Sequence, residues 1–191
     1  MKTLFKITIV SSLVVLMTCG CIHAISVDET YEGKIIDANT EQPIEGVVVP
    51  VAWYTSQFSP AGSTHNFYDA RETVTDRNGE FSISGMGLRI MSNLEPMHVL
   101  IFKAGYEYLN VPWVALRKDI LSKEKIKWEG SKAIIPLRRL TMEERTKNPL
   151  SPPLPPTDAT LEKVSLMLKE INRDLVERGL KPIEIWRGKK I

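Results

Sequence analysis

Three histidines, His23, His65 and His98, are the side chains in this sequence best suited to hold a metal ion or move a proton. A hydrolytic zinc centre needs paired His and Glu ligands converging on one water, with a further ligand downstream. None of the three has a second His at ligand spacing, and the full ligand pattern is missing. His98 opens an apolar run and reads as a structural residue, whereas His65 lies in a polar stretch and is a candidate for contact with a partner. Serines are frequent, yet no Gly-x-Ser-x-Gly elbow occurs, nor a glycine loop followed by Lys and Ser or Thr. Asp76-Arg77-Asn78-Gly79-Glu80 begins like a calcium loop but lacks the third acidic ligand position and the distal Glu, so it reads as a turn. The expectation is a chain that is not an enzyme and carries no metal or cofactor.

The cysteines offer different chemistry. Lys2 and Lys6 precede an apolar run from Ile7 to Met17, too short to span a bilayer comfortably as a helix. With Leu16-Met17-Thr18-Cys19-Gly20-Cys21 at its end, the segment reads as an export signal. It resembles a bacterial lipoprotein signal, with the thiol of Cys21 as the preferred acceptor of lipid and Cys19 as the alternative. Cys21 has Gly20 before it but Thr18 where Leu is preferred; Cys19 has Leu16 in place but Thr18 immediately before it. Ordinary cleavage after Ala24 is the competing reading and would release a soluble periplasmic or secreted protein. Either way, no cysteine remains beyond residue 21 for a disulfide or a thiolate metal site, so the body depends on its core.

The chain has 25 basic and 23 acidic residues, and removing a signal with Lys2 and Lys6 leaves a formal charge near zero. Nothing in that balance favours nucleic acid.

The body reads as short strands separated by turns. Tyr31–Ile36 alternates, and Asp37–Pro43 supplies turn chemistry. Val47, Val48, Val49 and Val51 suit a largely buried strand, with Pro50 implying an edge or a bulge. Residues 54–70, rich in Ser, Asn, Gly and Pro, read as a long exposed loop. Glu72–Thr75 and Glu80–Ile83 flank Asn78-Gly79, which predicts a tight hairpin. His98–Lys103 and 133–140 read as further strands, with a short helix over 116–125. The pattern predicts a mainly β, antiparallel sandwich. Five prolines in 148–156 make a semi-rigid spacer. Leu161, Val164, Leu168, Ile171 and Leu175 then form one helical stripe, with Thr157 or Asp158 as cap and Gly179 as terminator. That stripe is expected to dock on the chain's own sandwich.

Four pieces occur in order: Gly33-Lys34-Ile35-Ile36-Asp37, Gln42-Pro43-Ile44-Glu45-Gly46-Val47-Val48-Val49, Thr73 through Ile83, and Lys103-Ala104-Gly105-Tyr106. Together they resemble a carboxypeptidase regulatory-like domain over residues 30–140. The resemblance implies a transthyretin-like sandwich of about seven strands with no catalytic residues of its own. Gly79 and Gly105 are expected at turns that a side chain would strain, with Asn78 beside the first. Surface sandwiches of Gram-positive adhesins can join a strand Lys to an Asn near the last strand; Lys34 could donate, but 133–140 holds no Asn or Asp, which excludes the link.

The organisation expected is a signal over 1–20, the sandwich over 28–140, a Pro-rich linker over 141–157, a helix over 158–179 and a tail over 180–191. Trp53, Tyr54, Phe58, Phe67 and Tyr68 bracket the polar stretch that holds His65. Aromatic faces there suit a protein partner or a sugar ring. Two functions follow: a lipid-anchored, non-catalytic envelope module that touches the membrane through its lipid and binds an envelope protein, or a secreted carbohydrate-binding module.

Overall fold

The structure, a computed structural model, describes residues 25–59, 62–90, 93–118, 126–147 and 159–183. Cys19, Cys21, His23, the proline tract over 148–156, the cap candidates Thr157 and Asp158, and the tail from 184 lie outside the described residues. The described chain is mainly β, with ten strands. They are β1 (Ile25–Asp28), β2 (Tyr31–Asp37), β3 (Val48–Ser59), β4 (Gly62–Val74), β5 (Glu80–Ile83), β6 (Gly87–Ile90), β7 (His98–Ile101), β8 (Leu109–Pro112), β9 (Lys127–Glu129) and β10 (Lys132–Leu137). Two α-helices follow, α1 (Met142–Lys147) and α2 (Ser165–Glu177), the second preceded by a 3₁₀ turn over Leu161–Val164.

The chain divides into two compact units, a small one of residues 1–30 with 84–93 and a large one with the rest. Among its described residues the small unit holds one antiparallel pair, β1 with β6, neither of them among the strands expected from the sequence. The large unit holds two four-stranded sheets, ordered β5-β2-β10-β9 and β4-β3-β7-β8. The sandwich therefore has eight strands rather than about seven. The β4-β3-β7-β8 sheet is antiparallel throughout, as expected, while in the other sheet one pair differs: β10 runs parallel to β2, pairing Ala133 with Gly33 and Ile135 with Ile35. Alternation within a strand shows which face is buried but not the direction of its neighbour.

The run Val47–Trp53 is apolar at nearly every position because both faces of β3 are covered. Val49, Val51 and Trp53 are buried in the sandwich with Ile35, Phe81, Val99, Ile101 and Ile135. Val48 clusters instead with Leu100, Phe102, Met167 and Ile171, and Ala52 with Ala70, Ala159, Val164 and Leu168. Helix α2 is thus a third layer on the outer face of the β3 sheet. Val164, Leu168 and Ile171 of the expected stripe are buried, and Leu161 and Leu175 pack partly buried at its ends. Met167, one place off that stripe, is buried as well, and Gly179 at φ +73° follows the helix.

Two other expectations change. The stretch read as a loop over 54–70 is mostly strand: β3 and β4 pair residue by residue from Val48↔Val74 to Ser59↔Gly62, with a bulge between Trp53 and Tyr54. The turn at Asn78-Gly79 forms, with Gly79 N–H donating to Asp76 O and Gly79 at φ +73°. Its flanking strands do not pair, however; β4 joins β3 while β5 joins β2, so the turn carries the chain from one sheet to the other. Asp76 Oδ1 accepts from the N–H groups of Asn78 and Glu80, which closes the turn without a strand partner. Gly105, at φ +87°, likewise sits in a turn.

Residues 141–147, assigned to the linker from sequence, include α1. Its Thr141–Glu144 pair forms a capping box, Thr141 N–H to Glu144 Oε2 at 2.8 Å and Glu144 N–H to Thr141 Oγ1 at 3.3 Å. Within the 116–125 stretch expected to be helical, a 3₁₀ turn over Trp113–Lys118 covers the start, and 119–125 lie outside the described residues.

Candidate contact surface

The docking of α2 decides which part of the β3 sheet stays open. Val164, at the N-cap position, has no side-chain acceptor, so the first turn needs one from elsewhere. Glu72 of β4 supplies it: its carboxylate accepts from Leu166 N–H (2.7 Å), Met167 N–H (3.1 Å) and Ser165 Oγ–H (3.1 Å). Lys163 pairs with Asp69 beside it. At the far end, buried Arg145 of α1 donates to Asp174 Oδ1 (2.6 Å) and Glu177 Oε2 (3.0 Å). Asp174 also meets Arg178, and Glu170 Oε1 accepts from Ala104 N–H at 2.9 Å. The Lys103–Tyr106 turn is therefore one of the places where the helix is tied to the sandwich.

Beside the helix seat lies a groove of about 220 Å³ lined by Pro50, Val51, Ala52, Tyr54, His98, Leu100 and Asn110; Ala52 and Leu100 of its buried floor also pack under α2, and Tyr54, His98 and Asn110 form its accessible rim. The Tyr54 ring stands edge-on to His98, centroids 5.8 Å apart. Burial lowers the pKa of His98, and Glu95 works against that shift. The imidazole is therefore neutral at neutral pH and can donate from one nitrogen and accept at the other. Tyr54, His98 and Asn110 give the apolar floor a polar border. A larger hollow of about 570 Å³ lies between α2 and the β3–β4 base, with Val48, Val74, Leu166 and Val176 among its lining. Of its charged groups, Arg173 is already paired with Glu170 and Glu177.

Beyond the groove the β3–β4 hairpin continues into solvent. Gly62 to Asn66 are exposed along β4, an edge strand. His65 is exposed and pairs with Glu95, and Tyr68 is 58% exposed.

The aromatic set expected to meet a partner is divided by the fold. Trp53 is fully buried with the Arg71 guanidinium over its ring at 5.4 Å, so it is a core residue and its assignment to partner contact is corrected. Trp53 and Tyr54 are successive residues of β3 and so lie on opposite faces, while the register shift leaves Tyr68 as the extra residue on β4. Tyr54 and Phe67 meet edge-to-face at 6.2 Å and pack against the Ala159–Leu168 cluster, where they seat the helix. Tyr54 also lines the groove. His65 and Tyr68 are at the surface; the side chain of Phe58 lies outside the described residues. Sequence reasoning missed Asn110 and treated His98 as purely structural. The signal for His98 was its place opening an apolar strand, where a polar ring ends against a border.

Among the described residues, no group of three or more His, Cys, Asp or Glu is placed to hold a metal ion. Among them, too, no helix is long and apolar enough to cross a membrane.

No protein-family model matches the chain, and no curated protein does. Among solved structures it is similar to the pilus adhesin RrgA from Streptococcus pneumoniae, at 12% identity and TM-score 0.36, over 60% of this chain and 15% of that one. A streptococcal ancillary pilin matches at 12% identity and TM-score 0.33, over 60% and 30%. The 3-chlorocatechol 1,2-dioxygenase from Rhodococcus opacus 1CP matches at 16% identity and TM-score 0.31, over 62% of each chain. The match thus spans less than two thirds of each of these proteins. At these scores the likenesses assign neither family nor activity.

Proposed function

We propose that this chain is an exported, lipid-anchored envelope protein whose sandwich is a non-catalytic contact module. The observation that carries the contact role is the margin of the α2 seat on the outer face of the β3 sheet. There the accessible Tyr54, His98 and Asn110 rim of the groove adjoins a strand pair that reaches into solvent. An aromatic edge, a neutral imidazole and an amide beside an apolar floor suit a segment of another envelope protein, with Tyr68 and His65 at the margin. The anchor rests on the sequence: Lys2 and Lys6, the Ile7–Met17 run, and Cys21 after Gly20. The resemblance of residues 30–140 to carboxypeptidase regulatory-like domains supports the same reading, since those modules supply spacing or contact rather than catalysis.

Two measurements test it. The mass of the mature protein gives the N-terminus, expected at acylated Cys21; an unmodified start at Ile25 would move the protein to the soluble periplasmic or secreted class. A photo-crosslinking residue at Tyr68, activated in intact cells, should give a discrete adduct absent when the same residue replaces the exposed Thr146. The second reading, a secreted carbohydrate-binding module, draws on the same groove, because Tyr54 with His98 and Asn110 offers a ring edge and polar partners to a sugar. Glycan-array binding lost on Tyr54→Ala, with no crosslinked protein, would favour it.

A further inference from the structure

The small β1–β6 hairpin shelters its charges and exposes its apolar side. In an antiparallel pair, directly opposed residues share a face and successive residues alternate. Val27, Leu88 and Ile90 therefore lie on one face, and Ser26↔Arg89 and Asp28↔Gly87 on the other. On the second face Asp28 is buried, accepts from Met86 N–H at 2.8 Å and has Arg89 at 3.9 Å, the Arg89 side chain only 18% exposed. On the first face Val27 is 60% exposed, Leu88 65% and Ile90 64%. A hairpin built for water has these faces the other way round. A two-stranded sheet is also marginal by itself, so a cover on the apolar face would stabilise it.

The place of the hairpin in the chain says what that cover is. Ile25 is four residues after Cys21, a span of at most about 14 Å even when fully extended. An acyl group on Cys21 holds that residue at the membrane surface, and an interfacial apolar element sinks about 5–10 Å into the headgroup boundary. We infer that the Val27, Leu88 and Ile90 face of the β1–β6 hairpin rests on the lipid surface as a second membrane contact beside the anchor. The inference depends on the lipid-anchor reading above. It gives the hairpin a role that a tether alone does not supply, since a second contact sets the orientation of the hairpin at the surface.

The test uses the full-length protein, its acylation established by mass, in vesicles of phosphatidylethanolamine and phosphatidylglycerol. With the signal removed and Cys21 acylated, Leu88→Cys carries the one free thiol, which is labelled with an environment-sensitive fluorophore. Ser82→Cys, exposed on β5, is the reference. The label at 88 should be blue-shifted and quenched by headgroup-region nitroxide lipids at least about threefold more than the label at 82. An acylated protein whose label at 88 reports water overturns this inference and leaves the anchor standing. A protein without an acyl group overturns both. A blue shift that grows with protein density and resists nitroxide quenching assigns the face to a second copy, and overturns the inference as well.

Discussion

The base and the tip of the β3–β4 hairpin form one run of antiparallel pairing, its register shifted by one residue between Trp53 and Tyr54, and they differ in what surrounds it. At the base, Val48–Trp53 opposite Asp69–Val74, one face of β3 lies in the sandwich and the other under α2. Past the bulge at Trp53/Tyr54, the pairing runs on to Ser59 and Gly62 with polar residues and little cover. Strand pairing alone does not make a rigid element; burial on both faces does. The base, with the groove floor at Pro50, Val51 and Ala52, is therefore scaffold, and the tip with the Tyr54, His98 and Asn110 rim of the groove is available for contact.

The largest way to break this division is to remove its cover. Ending the chain before Asn148 strips Val164, Met167, Leu168 and Ile171 from the sheet, each contributing roughly 1.5–3 kcal/mol when fully buried, an upper total of about 6–12 kcal/mol. The truncated protein should aggregate or melt many degrees lower in a thermal scan; unchanged melting as a monomer would show that α2 is not a layer of the fold. Next in size is a contrast within the hairpin. Trp53→Ala should cost about 3–5 kcal/mol in denaturant unfolding, whereas Tyr68→Ala should stay within about 0.5 kcal/mol. Equal losses would erase the distinction between scaffold and surface.

These contrasts also show what could be read from the residues alone. The helical stripe was legible because Leu161, Val164, Leu168, Ile171 and Leu175 repeat at the helical period and must be covered. Its docking partners were not, because Glu72, Asp174 and Arg145 look like ordinary surface charges until the fold brings them to a helix end or to one another. The valine strand was legible as buried, yet not as covered from two sides. The tip was misread as a loop because Ser63, Thr64, Asn66 and Gly62 are polar on both faces, so no alternation marks a strand. The parallel pairing of β2 with β10 leaves no local trace at all. Of the aromatic set, composition placed the residues in the right region, but only once the stretch is strand does alternation turn Trp53 inward and Tyr54 towards the groove.

A smaller effect is expected at the joint between the two halves. Glu72→Ala removes the acceptor for two backbone N–H groups of α2 and should lower stability by about 1–2 kcal/mol, with Glu72→Gln recovering part of it. Full stability in Glu72→Ala would mean the helix is held by its apolar face alone. Smaller still is the pH response of the groove. The folded-state pKa of His98 lies below its ordinary 6.5, so the unfolded chain binds the proton more readily. Stability from this source is complete above about pH 6.5 and falls as pH drops towards the folded pKa. His98→Gln should flatten the loss of stability between about pH 7 and 5 relative to wild type. An unchanged slope would place the imidazole in water rather than in the groove wall.

Hydrogen exchange measured residue by residue along β3 of the full-length protein tests the division most directly. Amides of Val49, Val51, Ala52 and Trp53 should exchange only through near-global unfolding. Those beyond Tyr54 should exchange on the order of 10² or more faster, through local opening. Protection that runs undiminished from Val48 to Ser59 would contradict the account, since base and tip would then be one rigid element.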